Sequence, residues 1–143
     1  MSSRKDIRVG WGAILRAALT AADDDNIYTG PPTALDGASP IVIVASAGTD
    51  RTGGSADRSK ATFGGGTIGV FDLDVYSYVL ATADADDLLD TIEAEIAQAV
   101  ARNQTHTYWT AAVYRGPTQT KFLEVQDGTQ YKYEIVPLRF TGR

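Results

Sequence analysis

Residues 67–80 read TIGVFDLDVYSYVL, and this stretch decides the fold that the sequence predicts. Apolar and polar side chains alternate along it, with Phe71, Leu73, Val75 and Val79 on one parity and Asp72, Asp74, Tyr76 and Tyr78 on the other. Because successive side chains of a strand point to opposite faces, the pattern predicts a strand with one buried and one polar face. Ile68 and Val70 fall on the polar parity, and a β-bulge near Val70 would turn them to the buried face.

Two further segments, residues 6–20 and 84–101, carry the apolar spacing of amphipathic helices. The apolar positions are Ile7, Trp11, Ile14, Leu15, Ala18 and Leu19 in the first, and Leu88, Leu89, Ile92, Ile96 and Val100 in the second. The residues that we expect to cap these helices are Ser2 or Ser3, and Thr82 or Asp84. Each segment therefore predicts a helix that packs through one face.

The remaining strand signals are at residues 27–28, 41–46, 107–115, 121–125 and 131–140. The run IVIVAS at 41–46 is apolar on both parities, which predicts cover on both faces or a place near the sheet centre. Asp127 and Gly128 predict a hairpin between the last two strands. Pro137 predicts that the last strand lies at an edge or bulges there, because proline lacks the N–H of a ladder.

The order of these elements is α-β-β-β-α-β-β-β. It predicts an α+β fold, with two helices packed on one face of a mainly antiparallel or mixed β-sheet. The length of 143 residues fits one domain, so we expect a single domain over residues 1–143.

Composition narrows the class of protein. The chain has no cysteine and a formal net charge of −5 at pH 7. Without cysteine there is no disulfide, thiolate ligand or cysteine nucleophile. An acidic chain is a poor candidate for tight binding to phosphate backbones, which needs clustered Lys and Arg. We find neither a signal peptide nor an apolar run of roughly 20 residues, and we expect no contact with a membrane.

Residues 48–66, GTDRTGGSADRSKATFGGG, have almost no apolar content. So long a polar stretch is unusual inside a compact domain, and it predicts a flexible arm or an extended hairpin that orders on a partner. It carries three basic residues, Arg51, Arg58 and Lys60. Three cations release too few counterions for useful affinity to DNA, so we expect these residues to meet acidic protein groups or only to keep the arm soluble.

Three short motifs hint at chemistry, and each lacks the context that the chemistry needs. Residues 64–69 match a dinucleotide fingerprint, but a polar loop precedes them and a strand follows. A calcium loop that begins at Asp23 would need Gly and Glu where Tyr28 and Ala34 stand. His106 is the only histidine, and we expect it in a solvated loop. We therefore predict no catalytic, cofactor-binding or metal-binding residue.

Two residue pairs have a functional and a structural interpretation. Asp72 and Asp74 share one strand face, and paired carboxylates can perform acid–base or metal chemistry, but alternation favours the wet face of a strand. Tyr108 and Trp109 could stack on bases. Neighbouring strand residues point to opposite faces, however, and no basic groove accompanies these two, so at least one is expected in the core.

In chain order, four segments resemble the tail terminator (tail completion) proteins of long-tailed bacteriophages. They are the opening helix with its acidic turn and IYTGPP at 27–32, the proline-led strand SPIVIV at 39–44, FDLDVYSYV at 71–79 followed by DADDLLD at 84–90, and YKYEIVPLRF at 131–140. The resemblance covers nearly the whole chain and rests on element order and hydrophobic pattern. The polar arm fits too, since such proteins carry an extended segment there that contacts neighbours or the tube.

The resemblance implies a structural virion protein and not an enzyme. Such subunits form a ring, usually a homohexamer, that caps the tail tube, ends its polymerisation and docks the tail to the head. The implied partners are further copies of the chain, the major tail tube protein and the neck connector proteins. Genomic DNA would pass through without specific binding. The implied location is the head–tail junction of the virion, after assembly in the cytoplasm of the bacterial host.

On this interpretation the charged residues acquire expected roles. Arg51, Arg58 and Lys60 would be the assembly contacts of the arm, and Asp72 and Asp74 an acidic face of a lumen or an interface. Two alternatives remain open. One is another tail or neck component, such as a tube subunit or head–tail connector. The other is a small enzyme or ligand-binding α+β domain, which would need a concave pocket with convergent polar groups.

Overall fold

The computed structural model describes residues 2–32, 35, 38–51, 69–125 and 127–143. Its elements are α1 (Arg4–Ala18), a 3-10 turn (Asp24–Asn26), β1 (Ile27–Tyr28), β2 (Ile41–Asp50), β3 (Val70–Leu80), α2 (Ala85–Arg102), β4 (Trp109–Tyr114), β5 (Gln119–Glu124) and β6 (Gln130–Gly142). The two helices pack on a six-stranded mixed sheet. The predicted α+β class and the predicted order of helices and strands are confirmed.

The strands lie in the order β1-β2-β3-β6-β4, and β5 also pairs with β6. β1 is parallel to β2, and the other described pairs are antiparallel. The ladder between β3 and β6 runs without a shift from Val70↔Thr141 to Leu80↔Tyr131. These two long strands are therefore the centre of the sheet. On the far side of β6, β4 lies opposite residues 138–142 and β5 opposite residues 130–135.

Pro137 lies within β6, and the prediction that it marks a sheet edge or a bulge is wrong. It pairs with Asp74 of β3 in an uninterrupted ladder. On its other side, the register of β4 ends at Leu138 and that of β5 begins at Ile135. The Pro137 carbonyl accepts a hydrogen bond from the Arg115 N–H on that side, at 3.0 Å. The N–H and C=O of a strand residue point the same way, so the missing donor faces the gap between β4 and β5.

Of the two helices, α1 has the predicted side-chain cap and α2 does not. Ser3 caps α1: its Oγ accepts from the Asp6 N–H at 3.1 Å, and the Asp6 carboxylate accepts from the Ser3 N–H at 2.9 Å. This reciprocal pair is a capping box, and it holds the pKa of Asp6 below its ordinary value. Asp84 occupies the N-cap position of α2 but makes no side-chain hydrogen bond there.

The core lies between the helices and one side of the sheet, which we call the inner face. The alternation read in residues 71–79 is confirmed, because Phe71, Leu73, Val75 and Val79 are all buried there. The other inner-face and helix residues of the cluster include Val42, Val44, Val136, Leu138, Phe140, Ile7, Trp11, Leu15, Leu89, Ile92 and Ile96. Trp11 joins α1 to the sheet, with ring centroids 5.5 Å from Phe140 and 6.3 Å from Trp109. The opposite side of the sheet is the outer face.

β2 is longer than the predicted strand at residues 41–46. Residues 48–50 pair with residues 70–72 of β3, so the first three positions of the predicted arm belong to the sheet. Backbone groups form this ladder, and polar side chains do not prevent it. Of the predicted arm, Arg51 is described, whereas residues 52–66, with Arg58 and Lys60, lie outside the described residues.

The irregularity in this hairpin differs from the predicted one. The register shifts on β2 between Ser46 and Gly48, while Val70 continues the regular ladder of β3. The prediction of a bulge near Val70 is therefore wrong, and Ile68 lies outside the described residues. β2 is also buried on both faces only at its start, where Ile41 is 1% exposed.

Candidate assembly surfaces

The outer face carries a cluster of tyrosines from the two central strands. Tyr78 of β3 and Tyr133 of β6 are register partners, and their rings stack with centroids 4.8 Å apart. Tyr76 stacks on Tyr78 at 6.2 Å, and Tyr131 meets Tyr78 edge-on at 6.4 Å. The strand register thus assembles four rings into one aromatic cluster, in which Tyr131 is buried and the other three rings are partly exposed.

Two of these tyrosines, Tyr76 and Tyr78, are uncharged at neutral pH. Burial raises the pKa of Tyr78 to about 12, and the neighbouring phenols of Tyr133 and Tyr76 add to the effect. Burial also raises the pKa of Tyr76, with Asp74 as the next contributor. Because burial and nearby acidic groups disfavour the phenolate, these hydroxyls stay protonated and can donate hydrogen bonds.

Asp72 and Asp74 lie on the same outer face, beside the tyrosines. Asp72 accepts two hydrogen bonds from Arg139, from Nε at 2.9 Å and from Nη2 at 3.2 Å. Asp74 accepts one from Arg115 Nη2 at 2.5 Å, and Arg115 Nε lies 3.8 Å from Asp72. Two guanidinium groups therefore balance the two carboxylates, and the expected acidic face is charge-compensated. Its place at a lumen or an interface stays a prediction.

A basic cleft of about 920 Å³ opens at the start of α1 and the end of β2. Its cationic lining residues are Arg4, Lys5, Arg8 and Arg51. Arg8 donates from Nη1 to Ser46 Oγ at 2.9 Å, which ties the helix to β2. The Arg51 guanidinium lies 5.3 Å from the centre of the Phe71 ring. Of the three predicted arm contacts, Arg51 is therefore placed, beside basic residues of α1 that sequence reasoning missed.

The β5 strand forms an exposed edge of the sheet. Phe122 on this strand is 73% exposed, and Lys132 of β6 lies with its Nζ 5.6 Å from the ring centre. Monomeric proteins rarely expose a large apolar side chain on an edge strand, because such an edge can pair with another chain. The sequence signal was available, because Phe122 shares its strand parity with the polar residues Thr120 and Glu124.

The remaining sequence candidates have structural roles. His106 lies in a loop, as expected, but it is partly buried: it stacks on Trp109 with centroids 4.2 Å apart, and its Nδ1 accepts from the Tyr108 N–H at 3.2 Å. Residues 23–25 form an exposed acidic turn.

Within the described ranges, no group of three or more acidic or histidine side chains is arranged to hold a metal ion. Neither described helix is long and apolar enough to cross a membrane.

No protein-family model matches the chain, and no curated protein matches it. We therefore infer function from the sequence pattern and from the surfaces described above.

Proposed function

We propose that this chain is a ring-forming tail terminator subunit of a long-tailed bacteriophage. The resemblance rests on an element order, and the fold has that order. The subunit would be a structural virion protein without enzymatic activity. Its ring, a homohexamer in this proposal, would cap the tail tube, end tube polymerisation and dock the tail to the neck connector.

The observation that carries the proposal is the pair of different unpaired edges on one sheet. At one edge β1 covers only Val42 and Ile43, and no other described strand pairs with the rest of β2 on that side. At the other edge, no described strand pairs with β5 on the side away from β6, and Phe122 is exposed. Unpaired edges recruit further chains. Two different edges on one subunit permit a heterologous contact, which generates a ring when the rotation between subunits closes.

The charges are compatible with the same role. Arg51 contributes to the basic cleft, and Arg58 and Lys60 follow it in the sequence. In the proposal all three meet acidic groups of an adjacent subunit or of the tube ring. The net charge of −5 would keep a DNA duplex from binding tightly as it passes through the ring.

Electron microscopy of negatively stained samples tests the proposal directly. The purified protein is imaged alone and after mixing with purified tail tubes. We expect single rings at tube ends and tubes that no longer elongate when free tube protein is added. Tubes that remain uncapped and continue to elongate, with no ring at excess protein, would contradict the proposal.

Two variants of one strand sharpen this experiment. Phe122→Ser removes the exposed aromatic ring, and we expect weaker ring formation with an unchanged melting temperature. Lys121→Ser alters an exposed neighbour on the same strand and serves as the matched control. Equal ring formation by the two variants would exclude the β5 edge from the interface.

The same open edges also favour a second candidate, a tube subunit. A tube subunit adds rings without limit, whereas a terminator stops after one. Long tubes formed by the purified chain alone would support the tube subunit and contradict the terminator.

A further inference from the structure

The charged side chains are sorted along the strand direction. β3 has 11 residues and spans about 35 Å, and its two ends define the two ends of the subunit. Residues that cluster beyond Val70 are mostly basic, and residues that cluster beyond Leu80 are mostly acidic. We call these two regions the basic pole and the acidic pole.

The basic pole is fixed by the start of α1. The Ser2 N–H donates to the Arg143 carbonyl at 2.8 Å, and β6 ends beside Val70, so α1 begins at that end of the sheet. The pole contains Arg4, Lys5, Arg8 and Arg51, which line the cleft described above. Two acidic residues also lie here: Asp6, which is engaged in the α1 capping box, and Asp50 at the end of β2.

The acidic pole is fixed by two turns at the other end. Four residues separate the end of β3 from the start of α2, and the exposed first turns of α2 carry Asp86, Asp87 and Asp90. Residues 23–25 precede β1, whose Ile27 is level with Val42 and Ser77 in the sheet, so this acidic run lies at the same end. Two bases contact the pole in the part of the chain that the structure describes: Lys132 forms an ion pair with Asp86, and Arg16 donates from Nη2 to the Ile27 carbonyl at 2.7 Å.

Each pole also presents one exposed apolar side chain. Val9 is 44% exposed on α1, one helical turn after Lys5 and therefore on the same face. Phe122 is 73% exposed beside Lys132, the partner of Asp86. The two poles thus carry opposite charges, and each supplies an exposed apolar side chain. An interface between them would have an apolar centre and a charged rim.

We infer that the acidic pole of one subunit docks on the basic pole of a second copy, so that copies associate head to tail. The inference deepens the proposed function and rests on it for the closure of such contacts into a ring. Opposite charges would steer the encounter and fix the register, and the contact between Phe122 and the surface around Val9 would slow dissociation. Salt weakens such an interface, because the charges are exposed and screened.

A charge-swap experiment tests this pairing. One variant carries Arg4→Glu and Lys5→Glu, which reverses the basic pole and suits a helix N-terminus. The other carries Asp87→Lys and Asp90→Lys and leaves the Asp86–Lys132 pair in place. Circular dichroism melting checks that each variant is folded. Sedimentation velocity and mass photometry at low and high salt then measure association of wild type, each variant and their equimolar mixture.

The expected result follows from the signs. The first variant is acidic at both poles. In the second variant the start of α2 becomes net basic while residues 23–25 stay acidic, so each variant alone loses association by at least about tenfold. Their mixture restores oligomers in which the two variants alternate. Association of either variant at the wild-type level, or a mixture that remains monomeric, would overturn the inference. A mixture that stops at dimers would overturn it too, because an isologous pair would then explain the charges.

Tube capping separates this inference from the proposed function. If the wild type forms rings and caps tubes but both variants cap equally well, the pole pairing is wrong and the terminator function stands. If the wild type neither associates nor caps tubes, the proposed function fails together with the inference. A duplex oligonucleotide added to the same samples provides the remaining comparison. Tight binding of DNA that is lost with Arg4→Glu and Lys5→Glu, without any change in self-association, would overturn the pole pairing.

Discussion

Arg139 and Asp72 face each other across the central ladder of the sheet and form a two-point contact on the outer face. Arg139 donates from Nε and Nη2 to the two carboxylate oxygens, at 2.9 and 3.2 Å. The Asp72 carboxylate also lies 3.8 Å from Arg115 Nε, so it contacts two arginines. The hydrogen bonds and charge of Asp72 raise the pKa of Arg139 above its ordinary value. Asp72 is the one described carboxylate that contacts both of these arginines, and Arg115 links it to Asp74.

We predict that Asp72→Ala lowers the midpoint of thermal unfolding more than Arg139→Ala does. Loss of Asp72 removes the contacts of both Arg139 and Arg115 with this carboxylate, whereas loss of Arg139 leaves Asp72 beside Arg115. The measurement is thermal unfolding by circular dichroism at low and high salt. The double variant Asp72→Arg with Arg139→Asp controls for the pair. Equal decreases of the unfolding midpoint in the two alanine variants at low salt would contradict this prediction.

The sequence predicted the element order because that information is local. The alternation at 71–79 and the apolar stripes at helical spacing belong to neighbouring residues, and they survive in the fold. The partners of Asp72 and Asp74 are 67 and 41 residues away in the chain, so no local pattern indicates them. The sequence therefore predicted an acidic face, whereas in the structure Asp72 and Asp74 form ion pairs with Arg139 and Arg115.

The other failures have the same origin. Pro137 is unfavourable in a central strand by local rules, but the meeting of β4 and β5 beside it creates a place where no donor is needed. His106 stacks on Trp109, three residues later in the chain, and contacts with Trp11 and Phe140 hold Trp109 in the core. Both outcomes therefore depend on residues that are distant in the chain: the strands beside Pro137 and the rings around Trp109.

We predict that Ser77→Ala stabilises the protein. Ser77 lies on the inner face of β3 with 1% exposure, and its Oγ has no hydrogen-bond partner among the described residues. A buried hydroxyl without a partner costs about 1–2 kcal/mol of folding free energy, and alanine removes it. The matched control is Ser39→Ala, because Ser39 Oγ accepts from the Leu80 N–H at 3.0 Å and its loss should destabilise. Chemical denaturation measures both, and a loss of stability in Ser77→Ala would contradict the prediction.

We predict that Gly142→Ala destabilises the protein by about 1–3 kcal/mol. A Cβ at this position would lie 2.6 Å from Cε2 of Phe71, whose ring is 1% exposed and cannot move without disturbing the core. The Gly142 N–H also donates to the Gly69 carbonyl at 2.8 Å, which limits a shift of the backbone. The control is Gly30→Ala, where an added Cβ meets no atom within 4 Å. Denaturation that shows equal stability for the two variants would refute the close packing at Gly142.

The last prediction concerns pH and Glu134 on the inner face of β6. Burial raises the pKa of Glu134 above its ordinary value, and the nearby carboxylates of Glu93 and Asp90 on α2 raise it further. A carboxyl group with a raised folded-state pKa binds its proton more tightly in the folded protein. Its contribution to stability is therefore present below the unfolded-state pKa and is lost as the pH rises through the folded-state pKa.

Glu134→Gln should therefore be more stable than the wild type at pH 7 and should lose that advantage near pH 4, where the wild-type carboxyl is protonated. The group is partly solvated and screened, so we expect a gain of about 0.5 kcal/mol at pH 7, or about 1–2 °C in melting temperature. Glu124→Gln, on the exposed β5 edge, is the matched control and should change less. Melting curves at the two pH values decide the point, because a gain of equal size at pH 4 and pH 7 could not come from ionisation of Glu134.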